Sequence, residues 1–150
     1  MRIVIQRVTR ARVVIEGQVH AAIGPGLLLL VGVEKGDADS TAAAAGEKVA
    51  LMRIFPVQRG VDDRMDRSVI DVGGEVLVVS QFTLAGSLHR GRRPGFDHAA
   101  PPETARPLYE AVAAALARHG LVVRTGVFGA MMEIELTNDG PVTFVLETSS

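Results

Sequence analysis

The chain is organised around residues 131–147, which read Met131-Met-Glu-Ile-Glu-Leu-Thr-Asn-Asp-Gly-Pro-Val-Thr-Phe-Val-Leu-Glu147. Before residue 138, apolar side chains alternate with charged ones, and after residue 141 the side chains of Val142, Phe144 and Leu146 recur with the same period of two, as in a half-buried strand. The four residues between these segments, Asn138-Asp139-Gly140-Pro141, are dense in turn formers. The stretch therefore predicts a strand, a tight turn and a second strand.

A proline directly follows the glycine of this turn. Pro141 has no N–H and a fixed φ, so it suits a strand edge, a strand start or a special turn. Together Gly140 and Pro141 expose two consecutive carbonyl groups with few side-chain atoms over them. The residues alone leave an ordinary loop proline open, and they give a cis bond only its general frequency of about 5–6%.

The composition is that of a globular domain. The 150 residues are 47% apolar and 22% charged, enough for one domain, 1–150, with a substantial core. No apolar run reaches the ~18 residues that span a bilayer, and the N-terminus becomes polar too early for a signal peptide. Cysteine is absent, which fits a reducing cytoplasm. The net charge of −1 means that any nucleic-acid contact must come from a local basic patch.

Strands and two helices alternate along the chain. Periodicity predicts strands at Arg2–Val8, Ala11–Glu16, Val19–Ile23, Leu27–Val33, Glu75–Leu84 and Leu121–Val123. Cap signals predict one helix from Asp39 or Ser40 to Met52 and another from Pro101 to Gly120. The polar segment Val57–Arg67 is expected to be a mobile loop. The predicted fold class is α/β, with mixed, largely antiparallel β-sheets packed against two long helices in a single domain.

Polar residues at the end of a buried strand are a common place for chemistry, and Ser80-Gln81-Phe82-Thr83 is such an end. A hydroxyl of Ser80 or Thr83 could be a nucleophile, although no Gly-x-Ser-x-Gly elbow and no nearby histidine accompany it. The backbone N–H groups could equally form an oxyanion hole. Hydroxyls that are simply satisfied at the strand end are a third interpretation.

Other features give weaker indications. Phe128 lies between Gly126 and Gly129, which permit close backbone approach to a site. The run His89–Phe96 is the most basic short segment and could grip a few phosphates, but a merely solvated loop explains it equally well. Neither the histidines nor the aspartates of residues 57–67 have the spacing of metal ligands, so we expect no metal.

Several strings of the sequence together resemble the D-aminoacyl-tRNA deacylase family, of the D-Tyr-tRNA deacylase type. The strings are Met1–Val8, Gly32–Gly36, Asp71–Glu75, Ser80–Leu84, Thr125–Ala130 and Asn138–Thr143. They occur in collinear order over nearly the whole chain, and the ordered set is far more specific than any one string.

The resemblance implies hydrolysis of the ester between a D-amino acid, or glycine, and the terminal adenosine of tRNA. It implies a cytoplasmic homodimer that needs neither metal nor organic cofactor. It also implies a cis Gly140–Pro141 bond, carried by a loop that enters the pocket of the partner subunit. There the two carbonyls would face the substrate's α-amino group and exclude L-amino acids, which is chiral proofreading.

The matched strings also carry site residues. Ser80, Gln81, Phe82 and Thr83 would line the scissile ester, with the backbone amides of Phe82 and Thr83 as candidates for stabilising the oxyanion. A larger set is implied to bind the substrate or to select its chirality: Arg7, Phe128, Met132, Asn138, Gly140, Pro141 and Thr143. Arg7 matches an arginine that braces the Gly-Pro loop, and Phe128 and Met132 match residues near the adenosine.

Two segments depart from the family pattern. An aromatic residue is missing after Leu84, the loop before Phe96 is richer in arginine, and residues 57–67 fit poorly. The residues therefore leave two alternatives to the deacylase. One is a noncatalytic dimeric module of the same fold that binds tRNA or another nucleic acid, and the other is a small esterase with Thr83 as its nucleophile.

Overall fold

The computed structural model describes residues 1–148, which form eight strands and two α-helices. The strands are Arg2–Ile15 (β1), Gln18–Ile23 (β2), Gly26–Gly32 (β3), Phe55–Gln58 (β4), Asp62–Arg67 (β5), Glu75–Ser80 (β6), Val122–Thr125 (β7) and Glu133–Glu147 (β8). The helices are Asp39–Leu51 (α1) and Pro102–Ala117 (α2), and a 3-10 helix spans Phe82–Ala85. The expectation of a mixed α/β domain with two helices is confirmed.

One sheet organises the molecule, in the order β2-β1-β3-β6-β7 with β8 along β1. β1 pairs antiparallel with β2, β3 and β8, whereas β3, β6 and β7 are parallel to one another. Parallel strands require crossover connections, and α1 and α2 lie in the connections that follow β3 and β6. The carboxyl ends of β3 and β6 therefore meet at the same edge of the sheet.

β8 overturns the prediction of a strand, a tight turn and a second strand. Both of its halves pair with β1, because Gln6 lies opposite Thr143 and Val8 opposite Asn138. The chain does not reverse at Gly140-Pro141; instead, residues 139–142 form a four-residue bulge opposite the single residue Arg7. Turn-forming residues produce a bulge here because β1 is 14 residues long and provides a continuous partner on both sides.

The sheet buries both of its faces. One face packs under the helices through a core that includes Ile3, Ile5, Leu27, Leu29 and Val112. The helices approach closely at Gly46, where an added Cβ would lie 2.5 Å from the Cβ of Ala115. The opposite face, from β3, β6 and the second half of β1, is covered by β2 and the first half of β8; its members include Val8, Val13, Leu28, Leu77 and Val79.

The expectation of a mobile loop at residues 57–67 is wrong, because this segment belongs to the antiparallel hairpin β4–β5. β4 has only four residues, and β5 (Asp62–Arg67) carries polar side chains apart from Met65, so periodicity gives no strand signal for this segment. Ion pairs hold two of the hairpin's three aspartates: Asp62 with Arg64, and Asp66 with Arg53 at 3.2 Å. No α-helix within residues 1–148 is long and apolar enough to cross a membrane.

Candidate active site

A corner follows β6 at the edge of the sheet, formed by residues 80–83. The strand ends at Ser80, four residues earlier than predicted, and Gln81 donates its backbone N–H to the carbonyl oxygen of Val31 at 2.8 Å. The chain then enters the 3-10 helix Phe82–Ala85. The first N–H groups of a helical turn have no acceptor within the helix. Neither Phe82 nor Thr83 donates its N–H to any group of residues 1–148.

The corner opens onto a cleft of about 710 Å³. Five predicted site residues line it: Ser80, Gln81, Phe82, Phe128 and Met132. The remaining wall is mostly apolar and was not predicted; it includes Val33 after β3, Ala105 on α2, and Ile134 on β8. A largely apolar cleft with a few polar groups at one end is the usual form of a small-ligand site.

Phe128 is positioned by helix α2 and by the loop that follows β7. Its ring centroid lies 6.0 Å from that of Tyr109, which is buried and donates its hydroxyl to the Val78 carbonyl oxygen at 2.9 Å. Burial raises the pKa of Tyr109 above its ordinary value, so the hydroxyl remains a neutral donor. The segment around Phe128, which the sequence predicts to pass near a site, lies along this cleft, because Gly129 also lines it.

Thr83 lies beside the cleft and is not among its lining residues. Its hydroxyl accepts a hydrogen bond from the side-chain amide of Gln81. Within residues 1–148, no histidine or carboxylate forms a hydrogen bond with this hydroxyl. The side chain thus has no adjacent base that would activate it as a nucleophile.

The second group of predicted residues forms the bulge of β8. The Gly140–Pro141 peptide bond is cis, as the resemblance implies, and Gly140 has a φ of +120°. The side-chain amide of Asn138 donates to the carbonyl oxygens of Arg7, at 2.9 Å, and of Val142, at 3.1 Å. Its oxygen accepts from the hydroxyl of Thr143 at 3.1 Å. Asn138 and Thr143 therefore fasten both ends of the bulge to each other and to β1.

Arg7, on the facing strand β1, supports the bulge. Its side chain is only 10% exposed; Nη1 donates to the Ile54 carbonyl oxygen at 2.7 Å, and Nε lies 3.3 Å from Oδ2 of Asp139 without hydrogen-bond geometry. Asp139 also accepts two hydrogen bonds from Arg59, which lies in the turn between β4 and β5. The hydrogen bonds from Arg59 and the positive charge of Arg7 hold the pKa of Asp139 below its usual value.

The sequence gives no indication that Arg59 and Asp139 support the bulge. Arg59 lies in the segment predicted to be mobile, 80 residues from Asp139 along the chain. Asp139 was recognised only as a turn former. A bidentate arginine–carboxylate contact between segments this distant gives no local signal in one sequence.

The cleft and the bulge are separate within one chain. None of the residues that line the cleft belongs to the set Arg7, Asn138, Gly140, Pro141 and Thr143. Gly140 and Pro141 are exposed instead. In the part of the chain from residue 1 to residue 148, no three His, Cys, Asp or Glu side chains form a group that could hold a metal ion.

Comparison with known proteins identifies the family. Residues 4–147 match the family model of D-Tyr-tRNA(Tyr) deacylase. A D-aminoacyl-tRNA deacylase of Heliobacterium modesticaldum is 56% identical over 147 residues, 98% of this chain and 96% of the relative. One of Thermus aquaticus is 51% identical over 149 residues, 99% of this chain and 96% of the relative.

Two solved structures share the fold. A c-Myc DNA unwinding element binding protein superposes with a TM-score of 0.90 at 36% identity, over 100% of both chains. A probable eukaryotic D-amino acid tRNA deacylase superposes with a TM-score of 0.81 at 16% identity, over 97% of both chains, which supports the fold alone. By the family model and the identity to these relatives, the chain belongs to the D-Tyr-tRNA(Tyr) deacylase family, a family of hydrolases.

Proposed function

We propose that this protein hydrolyses the ester between a D-amino acid and the terminal adenosine of tRNA, and that it also accepts mischarged glycyl-tRNA. The products are the free amino acid and the tRNA, so the reaction removes wrongly charged tRNA before translation. Family membership supports the ester substrate. The observation that carries the proposal in this chain is a pair of N–H groups, on Phe82 and Thr83, that have no acceptor within residues 1–148 and lie at the rim of a largely apolar cleft.

The reaction needs stabilisation of the charge that develops on the ester carbonyl oxygen. Water adds to the carbonyl carbon, and the bond from this carbon to the ribose oxygen then breaks, with a proton passing to the ribose oxygen. The N–H groups of Phe82 and Thr83 donate to the oxyanion, and one such donor contributes about 10²–10³-fold in rate. The neighbouring 2′-hydroxyl of the substrate assists the proton transfer. No metal, organic cofactor or protein nucleophile is needed.

Chiral selection falls to the bulge of a partner subunit in a cytoplasmic homodimer. The carbonyl groups of Gly140 and Pro141 accept hydrogen bonds from the substrate's α-amino group and leave no room for an L side chain. Two features support this arrangement: both residues are exposed, and neither lines the cleft of its own chain. Glycine has no side chain to exclude, so glycyl-tRNA passes the same filter. Rejection by a clash discriminates more strongly than a few extra contacts would.

The terminal adenosine occupies the apolar side of the cleft. Phe128 offers a ring face, and Met132 offers an adaptable thioether. Asn138, Thr143 and Arg7 serve the same substrate indirectly, because they hold the bulge in place.

Hydrolysis of D-Tyr-tRNA and L-Tyr-tRNA at equal enzyme concentration tests the proposal. We expect cleavage of the D-ester alone. A Gly140→Ala variant should lose about 100-fold in kcat/KM, since misplacing a catalytic contact by about 1 Å can cost that much. The added Cβ would lie 2.9 Å from Cγ2 of Val142 and 3.1 Å from Nη2 of Arg7. Gly17→Ala is the matched control, because Gly17 also has a positive φ but an added Cβ would meet no atom within 4 Å.

A noncatalytic module that binds tRNA or another nucleic acid is the second candidate. The similarity to a DNA-element-binding protein at 36% identity favours keeping it. The same assays separate the two functions. If the protein binds tRNA but cleaves neither ester, the deacylase function is contradicted and the noncatalytic binding module is supported.

A further inference from the structure

The loop from Ser87 to Gly95 carries three exposed arginines. Arg90, Arg92 and Arg93 are exposed, and within residues 1–148 none of them forms an ion pair or a hydrogen bond. Most other arginines of the chain are held by an oxygen acceptor, as Arg12 and Arg64 are. Three like charges within four residues repel one another, so an anion that binds them all is stabilised.

The backbone gives this loop a closed form. Ser87 and Gly95 exchange hydrogen bonds, from Ser87 N to Gly95 O at 2.7 Å and from Gly95 N to Ser87 O at 2.8 Å. Arg90 and Arg93 line one depression of about 420 Å³. Asp97 contributes one negative charge to the lining of this depression, and the two positive charges of the arginines exceed it. The loop therefore presents a net positive surface.

The loop is joined directly to the cleft. The ring of Phe96, which follows the loop, lies 5.2 Å from the ring of Phe82, which lines the cleft. Before the loop, Gly86 fits closely against Phe96, since an added Cβ would lie 3.0 Å from Cε1 of that ring. The contact between Phe96 and Phe82 thus places the loop with its three arginines next to the corner where the ester would react.

We propose that Arg90, Arg92 and Arg93 bind backbone phosphates of the single-stranded 3′ end of tRNA, immediately 5′ of the terminal adenosine. This inference rests on the proposed function, because it places that adenosine in the cleft. The preceding nucleotides then leave the cleft past its rim, where the loop lies. Guanidinium groups suit phosphate oxygens through bidentate hydrogen bonds. With a net charge of −1, the protein has no overall field to attract tRNA, so a local patch must do so.

A pair of double variants isolates the loop. Arg92→Gln with Arg93→Gln removes two positive charges from it, and Lys48→Gln with Arg118→Gln removes two elsewhere. Lys48 lies in the last turn of α1, and Arg118 directly follows α2. Pro102, at the other end of the 16-residue helix α2, lines the cleft, so Arg118 is about 24 Å away along the helix.

Two substrates separate phosphate binding from chemistry: D-Tyr-tRNA, and D-tyrosyl-adenosine, which carries the same ester without any phosphate. We expect the loop variant to raise KM for D-Tyr-tRNA about tenfold and to reduce the slope of log KM against log salt by about 0.7 per lost contact. Its kcat/KM for D-tyrosyl-adenosine should stay within twofold of wild type. The double variant at the helix ends, Lys48→Gln with Arg118→Gln, should leave both KM and kcat/KM unchanged for either substrate.

An equal loss with both substrates would overturn the inference, because the loop would then act by shaping the cleft. Equal losses in the two double variants would overturn it as well, in favour of bulk charge. If the wild-type protein cleaves neither ester, the proposed function fails on its own. The Kd for uncharged tRNA then decides the loop's role: weaker binding in the loop variant alone supports it, and unchanged binding contradicts it.

Discussion

The bulge at residues 139–142 and the corner at residues 80–83 differ in whether their polar groups form hydrogen bonds. Around the bulge, Asn138 satisfies two carbonyl oxygens, and Arg7 fixes Asp139 and the Ile54 carbonyl. At the corner, two consecutive N–H groups, those of Phe82 and Thr83, find no acceptor among residues 1–148. Side chains thus immobilise one region, while the backbone of the other is kept available.

This difference suits the two tasks that we assign to them. A filter that excludes by shape must not yield, so its backbone is cross-linked on both sides and supported by a nearly buried ion pair. An oxyanion hole must instead offer donors that make no hydrogen bond before the substrate arrives. The β-sheet supplies rigidity to both, since each region adjoins a paired strand residue: the bulge ends directly before Thr143, and the corner begins at Ser80.

Two substitutions at Thr83 test whether the corner acts through its backbone. Thr83→Pro deletes the N–H and should lower kcat about 10²–10³-fold. Thr83→Ala keeps the N–H and deletes only a hydroxyl that accepts from Gln81, so we expect it to retain activity within about tenfold of wild type. Steady-state hydrolysis of D-Tyr-tRNA measures both.

Proline is tolerated in the first turn of a helix, so the fold should survive Thr83→Pro, with an unchanged midpoint of urea unfolding as the check. A loss with alanine as large as that with proline would instead favour the esterase in which Thr83 is the nucleophile.

Removal of Arg7 tests whether the bulge depends on its buried support. Arg7→Gln leaves the Ile54 carbonyl oxygen without its donor and Asp139 without its buried partner. We expect a loss of about 3–5 kcal/mol in the free energy of unfolding, the cost of breaking a buried ion pair. Arg59→Gln is the control at the same carboxylate: the Arg59 side chain is 63% exposed, so its loss should cost under about 1 kcal/mol.

Urea unfolding of the two variants measures this contrast. Equal losses would show that burial of Arg7 adds nothing to the support of the bulge.

The pH dependence of stability gives a smaller effect at the same place. The pKa of Asp139 is held below its usual value of 3.8, so the folded state favours the carboxylate. The resulting stabilisation is fully present above the unfolded-state pKa and is lost as pH falls through the folded-state pKa. The stability advantage of wild type over Asp139→Asn should therefore be constant above about pH 5 and shrink below about pH 4.

Chemical unfolding of both proteins between pH 7 and pH 2.5 would show this trend. A difference that stays constant over the whole range would mean that ionised Asp139 does not stabilise the bulge.

The fold and the cleft could be predicted from local patterns, because these patterns have local causes. The aliphatic run before Ser80 marks a buried strand, and its polar end marks the edge where a site forms. The glycines around Phe128 likewise predict a close approach to a site, and Phe128 and Gly129 do line the cleft. In each case the prediction rests on residues that are close in the sequence or on a strong hydrophobic periodicity.

The bulge could not be predicted in the same way, because its contacts are distant in sequence. Gly140-Pro141 has the composition of a turn, and only the pairing of β8 with β1, between residues far apart in the sequence such as Gln6 and Thr143, keeps the chain from reversing there. The hairpin that carries Arg59 has no apolar alternation, so periodicity marks it as a loop. The family resemblance implied the bracing role of Arg7, but it gave no indication of a role for Arg59.

Complementation between two inactive variants tests the central claim most directly, namely that the bulge of one subunit serves the cleft of the other. Gly140→Ala disables the bulge. Ala130→Trp fills the cleft from a residue in the loop after β7, where a large side chain need not disturb the core. The two variants are co-expressed, and hydrolysis of D-Tyr-tRNA is measured for each variant alone and for the mixture.

If the bulge acts in the partner's cleft, a mixed dimer has one intact site, formed by the cleft of the Gly140→Ala chain and the bulge of the Ala130→Trp chain. Random pairing then restores about a quarter of wild-type activity, as expected for an isologous dimer. A mixture no more active than its components would contradict the claim, because every site would then contain one of the two defects.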